Sequence, residues 1–284
     1  MTDATKLSGL EERRLDVHGA RLRYYVGGEG PPLLLVHGLG GAASNWSELV
    51  PLLASRRRLL VPDLPGHGGS SPLPSAPTLS PFADVLATMA EREGMLPAAV
   101  VGHSLGGVIA LRLALRRPGS VTALVLAAAA GISSATRTRE TWVTLLVLAR
   151  PARLVAPHRR LIARVPWLRY PVFGYWEVAD PEALPPRAVE GFLIGPALHT
   201  DIGDAGRALV QDDPRTDLHR VRCPALVLWG ARDRLVPLED GFEYARRLRA
   251  PLRIVPDCGH LLIGERPDAC AHAIESFLAT LSSR

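Results

Sequence analysis

The strongest chemical signal in the chain is Gly102-His103-Ser104-Leu105-Gly106-Gly107. The apolar run Ala98–Val101 ahead of it reads as a strand, and Leu105–Arg116 behind it reads as a helix closed by Pro118. A serine between strand and helix, flanked by glycines two residues away on either side, is a nucleophile elbow. The turn exposes the serine Oγ. The glycines let backbones approach within side-chain distance. The helix opening behind the serine aims its N–H groups and dipole at a developing oxyanion. The chemistry expected of Ser104 is nucleophilic attack.

A serine hydroxyl needs a base. Among nine histidines, His260 stands in Asp257-Cys258-Gly259-His260, after a strand at Leu252–Val255 and before the last helix. An imidazole base in turn needs an acid to orient it. Asp233, in Gly230-Ala231-Arg232-Asp233, follows a strand at Ala225–Trp229. Asp257 competes for that role, but it lies on the His260 loop itself, where capping a turn is the simpler task. An oxyanion hole needs two backbone N–H groups. Leu105 supplies one. The other is expected from His37-Gly38-Leu39-Gly40-Gly41, after the strand Leu33–Val36, with Leu39 as first choice and Gly38 as its neighbour.

These residues need a scaffold that brings loop ends together. Arg13–His18 and Arg21–Val26 read as a hairpin around His18-Gly19. Ser44–Ala54 carries a helix-like pattern, Leu59–Val61 a short strand, and Thr78–Glu93 a helix opened by Ser80-Pro81. Val121–Ala127 is a strand, Leu238–Leu248 a helix, and Pro267–Leu281 a closing helix. Strands alternating with helices predict an α/β fold with a mostly parallel, doubly wound sheet. From Gly131 to Ala205 the rhythm breaks into a helix-rich, proline-dotted stretch. The expected domains are a core over residues 1–130, a helical cap or lid over 131–205, and the rest of the core over 206–284. A cap inserted there covers the carboxyl edge of the sheet, where such sheets bind ligands.

Composition sets the outer limits. The 284 residues are 47% apolar, enough for a large core, and 26 Gly with 25 Pro stay below a low-complexity level. The net charge is +5, and Lys6 is the only lysine beside 32 arginines, a pattern that coding bias explains. No nucleic-acid-binding motif accompanies the charge, so no nucleic-acid partner is expected. No metal cluster or dinucleotide fingerprint is present, and no cofactor or metal is expected. The charge-free stretches Gly30–Ser47, Gly94–Leu111 and Pro118–Thr136 are broken by Gly, Pro, Ser or His, and suit buried strands and turns better than membrane spans. Three cysteines without CxxC spacing and a polar start from Met1 to Arg14 lead to the expectation of a cytoplasmic protein.

Taken jointly, His37-Gly38-Leu39-Gly40, Asp63-Leu64-Pro65-Gly66-His67-Gly68-Gly69-Ser70, the Ser104 elbow, Gly230-Ala231-Arg232-Asp233 and Gly259-His260 resemble the α/β-hydrolase superfamily over nearly the whole chain. The resemblance implies the order Ser, Asp, His for the triad, here Ser104, Asp233 and His260, with Leu39 and Leu105 as oxyanion donors. Some relatives place the acid after the sixth strand, but that position here reads Ala127-Ala128-Ala129-Ala130-Gly131. The Asp63–Ser70 turn is expected to buttress the oxyanion loop, and His37 and His103 read as scaffold. Epoxide hydrolases and haloalkane dehalogenases resemble the chain but carry an aspartate where it has Ser104. The chain also lacks the G-G-S-W-G elbow usual in prolyl aminopeptidases. The implied activity is that of a serine carboxylesterase or lipase. Other serine chemistries share the triad: C–C hydrolysis of dienoate products, lactonase, perhydrolase or acyltransferase. A non-catalytic ligand-binding role is the reading from another class.

Only the cap speaks to substrate. Trp142–Leu148 is strongly apolar, and Val165 to Trp176 adds Trp167, Tyr170, Phe173, Tyr175 and Trp176. Some of these line an acyl pocket if they do not simply pack the cap, which points to a small-molecule ester of short to medium acyl length. Gly131 to Tyr175 holds eight arginines against one acid, Glu140. That half is a solvated face, a steering patch for acidic substrates or a weak contact for a membrane surface, or the source of one arginine for a substrate carboxylate.

Overall fold

The computed structural model describes residues 7–75, 78–133, 154–198 and 202–282. Eight strands form one sheet: β1 (Glu11–Val17), β2 (Ala20–Gly27), β3 (Pro32–Val36), β4 (Arg58–Pro62), β5 (Ala98–His103), β6 (Val121–Ala127), β7 (Ala225–Gly230) and β8 (Leu252–Val255). Their spatial order is β1-β2-β4-β3-β5-β6-β7-β8. β2 runs antiparallel to both neighbours, and every pairing from β4 through β8 is parallel. The β1–β2 turn uses left-handed backbone at His18 (φ 50°) and Gly19 (φ 80°). Two positive φ values in succession match the twist of a two-residue hairpin.

The helices are α1 (Val50–Leu53), α2 (Ser80–Arg92), α3 (Leu105–Arg116), α4 (Arg159–Arg164), α5 (Tyr170–Glu177), α6 (Pro186–Leu198), α7 (Gly203–Gln211), α8 (Leu238–Leu248), α9 (Leu262–Glu265) and α10 (Pro267–Ser282). The helix expected over Ser44–Ala54 is instead a 3-10 turn at Ala43–Trp46 followed by the single turn α1. Its apolar spacing is real, because Trp46, Leu49, Val50 and Leu53 are all fully buried. The side chain of Asn45 accepts from the Ala42 N–H, an interaction local to a turn, and Pro51 lacks the N–H that a longer helix would use.

The central strands read as continuous apolar runs because both faces are covered. Leu33–Val36 and Val100–Val101 are fully buried, as are Leu124–Ala127 and Val227–Trp229. Helices α4 to α7 lie in the chain between β6 and β7. The Trp142–Leu148 run, together with Arg137, Arg139, Arg150 and Arg153, lies outside the described residues. Among those described, α6 packs on the Ala43–Trp46 turn, where Ser44 Oγ donates to Gly191 O at 2.7 Å. No helix among the described residues is long and apolar enough to cross a membrane.

Candidate active site

Strand order places the site. β3 leads to β4 on one side and the chain then crosses to β5 on the other, so the sheet reverses direction of build between β3 and β5. Such a switch point opens a crevice at the carboxyl edge. Val36 pairs with Gly102, so His37-Gly38 and His103-Ser104 leave the sheet side by side. A Cβ added to Gly38 would stand 3.0 Å from Ser104 Cβ.

Ser104 occupies φ 52°, ψ −119°, a conformation that side chains rarely adopt. Such strain costs about 1–3 kcal/mol and persists only where surroundings impose it. Here they do. Ser104 N donates to Ala127 O at 3.0 Å, and Ser104 O accepts from Gly107 N at 2.9 Å and Ala130 N at 3.2 Å. A side chain at Gly106 is impossible, since its Cβ would sit 2.2 Å from Val36 O. Leu105 opens α3, so its N–H is one of the amides that a helix N-terminus leaves without an intrahelical partner.

His260 and Asp233 are brought together from loops after β8 and β7. His260 Nδ1 donates to Asp233 Oδ2 at 2.9 Å, with both residues buried. The other carboxylate oxygen, Oδ1, accepts from Val236 N at 2.8 Å and Leu235 N at 3.0 Å. Both oxygens are thus held, and the proton on Nδ1 leaves Nε2 as the acceptor. Burial pushes the imidazole towards neutrality. The charge and hydrogen bond of Asp233, with Glu177 and Glu265 behind, outweigh it and raise the His260 pKa above its usual value. Asp257 takes no part: its exposed carboxylate pairs with Arg232 at 2.5 Å.

The scaffold histidines are equally defined. Leu64 N–H donates to His37 Nε2 at 2.9 Å, so Nδ1 carries the proton and donates to Gly38 O at 2.8 Å. His103 Nε2 donates to His260 O at 2.9 Å, and burial drives its pKa down to about 3. His103 therefore stays neutral and ties the elbow to the His260 loop. Asp63 lies against the segment that follows the His37–Gly41 loop. Its Oδ1 accepts from Ala43 N at 2.7 Å, while Oδ2 accepts from Gly69 N at 2.8 Å and pairs with Arg23 at 2.6 Å. These bonds tie the Asp63–Ser70 turn to the segment after β3.

A family model described as alpha/beta hydrolase fold matches residues 31–267. The chain belongs to the α/β-hydrolase fold family. The pimeloyl-[acyl-carrier protein] methyl ester esterase of Aromatoleum aromaticum is 33% identical, over 86% of this chain and 97% of that protein. The dihydrolipoyllysine-residue acetyltransferase component of the acetoin cleaving system of Pseudomonas putida is 29% identical, over 97% of this chain and 71% of that protein. The chain spans less than two thirds of some relatives: 63% of the like-named Cupriavidus necator protein and 32% of the magnesium-chelatase 30 kDa subunit of Rhodobacter capsulatus. A putative lipase from Acinetobacter baumannii shares the fold, with a TM-score of 0.76 and 24% identity over 99% of this chain and 94% of that one.

Two residues that the α/β-hydrolase motifs do not reveal stand at the histidine loop. Glu265 accepts from Gly259 N at 3.0 Å and from Ala179 N at 2.8 Å. The carbonyl of Glu177, the last residue of α5, accepts from His260 N at 2.7 Å and Leu261 N at 3.1 Å. The Glu177 carboxyl is pushed up to about 7 by burial, against the pull of His260. No local signal marks either glutamate, because each acts on a segment distant in sequence or on its own loop's backbone. Arg169 is the opposite case. Its guanidinium is buried and donates to the carbonyls of Ile162, Ala163, Glu182 and Leu184, so this arginine is not open to a substrate carboxylate.

Proposed function

We propose that the chain is a serine hydrolase that cleaves carboxylic esters of short to medium acyl length through an acyl-enzyme. The observation that carries this reading is the buried His260–Asp233 hydrogen bond of 2.9 Å at the same sheet edge as the strained Ser104. His260 Nε2 takes the Ser104 proton as Oγ attacks the ester carbonyl. The oxyanion is held by the N–H groups of Leu105 and Leu39. The alcohol leaves with the proton from His260, and a water activated by the same nitrogen hydrolyses the acyl-serine. Asp233 holds the tautomer and stabilises the imidazolium. The methyl ester esterase relative, matched over 97% of its length, supports ester chemistry.

Acyl transfer is the second reading, favoured by the likeness to the protein named as an acetyltransferase component over 97% of this chain. It shares the acyl-serine and replaces water by an acceptor nucleophile. Hydrolysis of nitrophenyl esters over increasing acyl length, with Ser104→Ala alongside, tests the first reading. A Ser104-dependent optimum at short to medium length is expected, with about 10⁶ lost in kcat for the alanine variant. No Ser104-dependent turnover at any length overturns it. An acyl-serine that forms in a burst and turns over only on adding a thiol or alcohol selects acyl transfer.

A further inference from the structure

The helical run from Leu154 to Arg164 carries apolar side chains on its outer face as well as its inner one. Ala156, Ile162 and Ala163 are buried, with α4 packed on α6. Leu154, Pro157, His158, Leu161 and Arg164 are all exposed. They recur three or four residues apart, the spacing that puts side chains on one face of a helix. Leu154 is 78% exposed and Leu161 53%, and Trp167, just beyond the run in a turn packed on α4, is 66% exposed. Interior packing does not account for these three.

Along this part of the chain the charge is of one sign. From Leu154 to Trp176 the chain has Arg159, Arg160, Arg164 and Arg169 and no acidic residue. Arg169 is consumed inside by carbonyls, but Arg160 and Arg164 are exposed, and no carboxylate among the described residues lies within ion-pair distance of either. An outer face that alternates leucine and tryptophan with arginine fits a surface that is apolar beneath and anionic above. Tryptophan favours that boundary, and arginine stems lie along the apolar layer while their heads meet phosphate.

We propose that this face docks the protein on an anionic phospholipid bilayer, with Leu154, Leu161 and Trp167 entering the headgroup boundary and Arg160 and Arg164 on lipid phosphates. The same insertion continues through α5 to Glu177, whose carbonyl holds the N–H of His260, so the docked insertion is hydrogen-bonded to the loop of the candidate base. Binding itself does not depend on the ester-cleaving reading, and it is measured without any substrate.

The test is sedimentation of the full chain with vesicles of phosphatidylcholine alone and of phosphatidylcholine containing phosphatidylglycerol, over a salt series. Binding to the phosphatidylglycerol vesicles that weakens as salt rises is expected. Each arginine near such a surface is worth about fivefold in partition. Arg160→Gln with Arg164→Gln should therefore cost about 25-fold on anionic vesicles. Leu161→Ser with Trp167→Ser should cost at least tenfold at every lipid composition. All four positions are exposed, and unchanged thermal midpoints confirm that the variants fold. The salt series on the unaltered chain needs no variant. No binding to phosphatidylglycerol vesicles, or binding indifferent to salt or to either pair of substitutions, overturns the proposal. So does a dimer in light scattering that Leu161→Ser with Trp167→Ser abolishes, which would make the face a self-association surface.

Discussion

The main-chain N–H of His260 donates to the carbonyl of Glu177 at 2.7 Å. The candidate base is thereby fastened to the last turn of α5 as well as to its own loop. Glu265 makes the second fastening, gripping Gly259 N and Ala179 N at once. The segment that follows α5 within the insertion and the loop that carries the imidazole are thus tied to each other.

Glu265→Gln tests this coupling. A glutamine has one acceptor oxygen where the carboxylate has two, and its NH₂ group would face an N–H donor. It also removes a negative charge that raises the His260 pKa. A fall of about tenfold in kcat/KM is expected, with the acid limb of its pH profile moved to lower pH. A loss of stability with an unmoved acid limb would reduce Glu265 to a structural part.

Asp233→Asn should lower kcat by about 10⁴. The direction of the pH effect follows from the groups around His260. As the base, it must be neutral, so activity rises as pH passes its pKa. Burial alone lowers that pKa, and Asp233 is the foremost of the groups that reverse the shift. Without the aspartate charge the residual activity should keep its plateau to lower pH. A pH–rate profile that moves upward, or a kcat near the parent value, would remove Asp233 from the acid role.

Gly68→Ala should destabilise the fold without touching the reacting groups. Gly68 sits at φ 50°, and a Cβ there would come within 2.4 Å of the Asp63 carboxyl group. The clash displaces the carboxylate that holds Ala43 N, Gly69 N and Arg23. A loss of about 2–4 kcal/mol is expected, seen as a thermal midpoint lower by about 4–12 °C. An unchanged midpoint would mean that the buttress carries little.

Arg169→Leu should loosen the insertion before the core. It removes the donors from the carbonyls of Ile162, Ala163, Glu182 and Leu184, and an unpaired buried carbonyl costs about 1–3 kcal/mol. Limited proteolysis should cut between Ala156 and Leu184 in the variant while the sheet stays protected. Equal protection of both proteins would show that water replaces the guanidinium at little cost.

By itself the sequence determined the strand–helix alternation and the elbow serine. These are local: an apolar run on a parallel strand is continuous because both faces are covered, and an elbow needs glycines at fixed offsets from one serine. The ends of α3, α8 and β8 were legible for the same reason. The helix-like pattern over Ser44–Ala54 yields only two short turns, because apolar periodicity reports burial and not hydrogen bonding. Tertiary structure alone decided what depends on distance across the sheet. It realised the expected pairing of His260 with Asp233, because β7 lies beside β8 and its loop presents the carboxylate to Nδ1 while Asp257 pairs with Arg232 at the surface. It also brought Glu177 and Glu265 to the histidine loop and turned Arg169 inward, since a backbone amide or carbonyl leaves no mark in the sequence of the partner it binds.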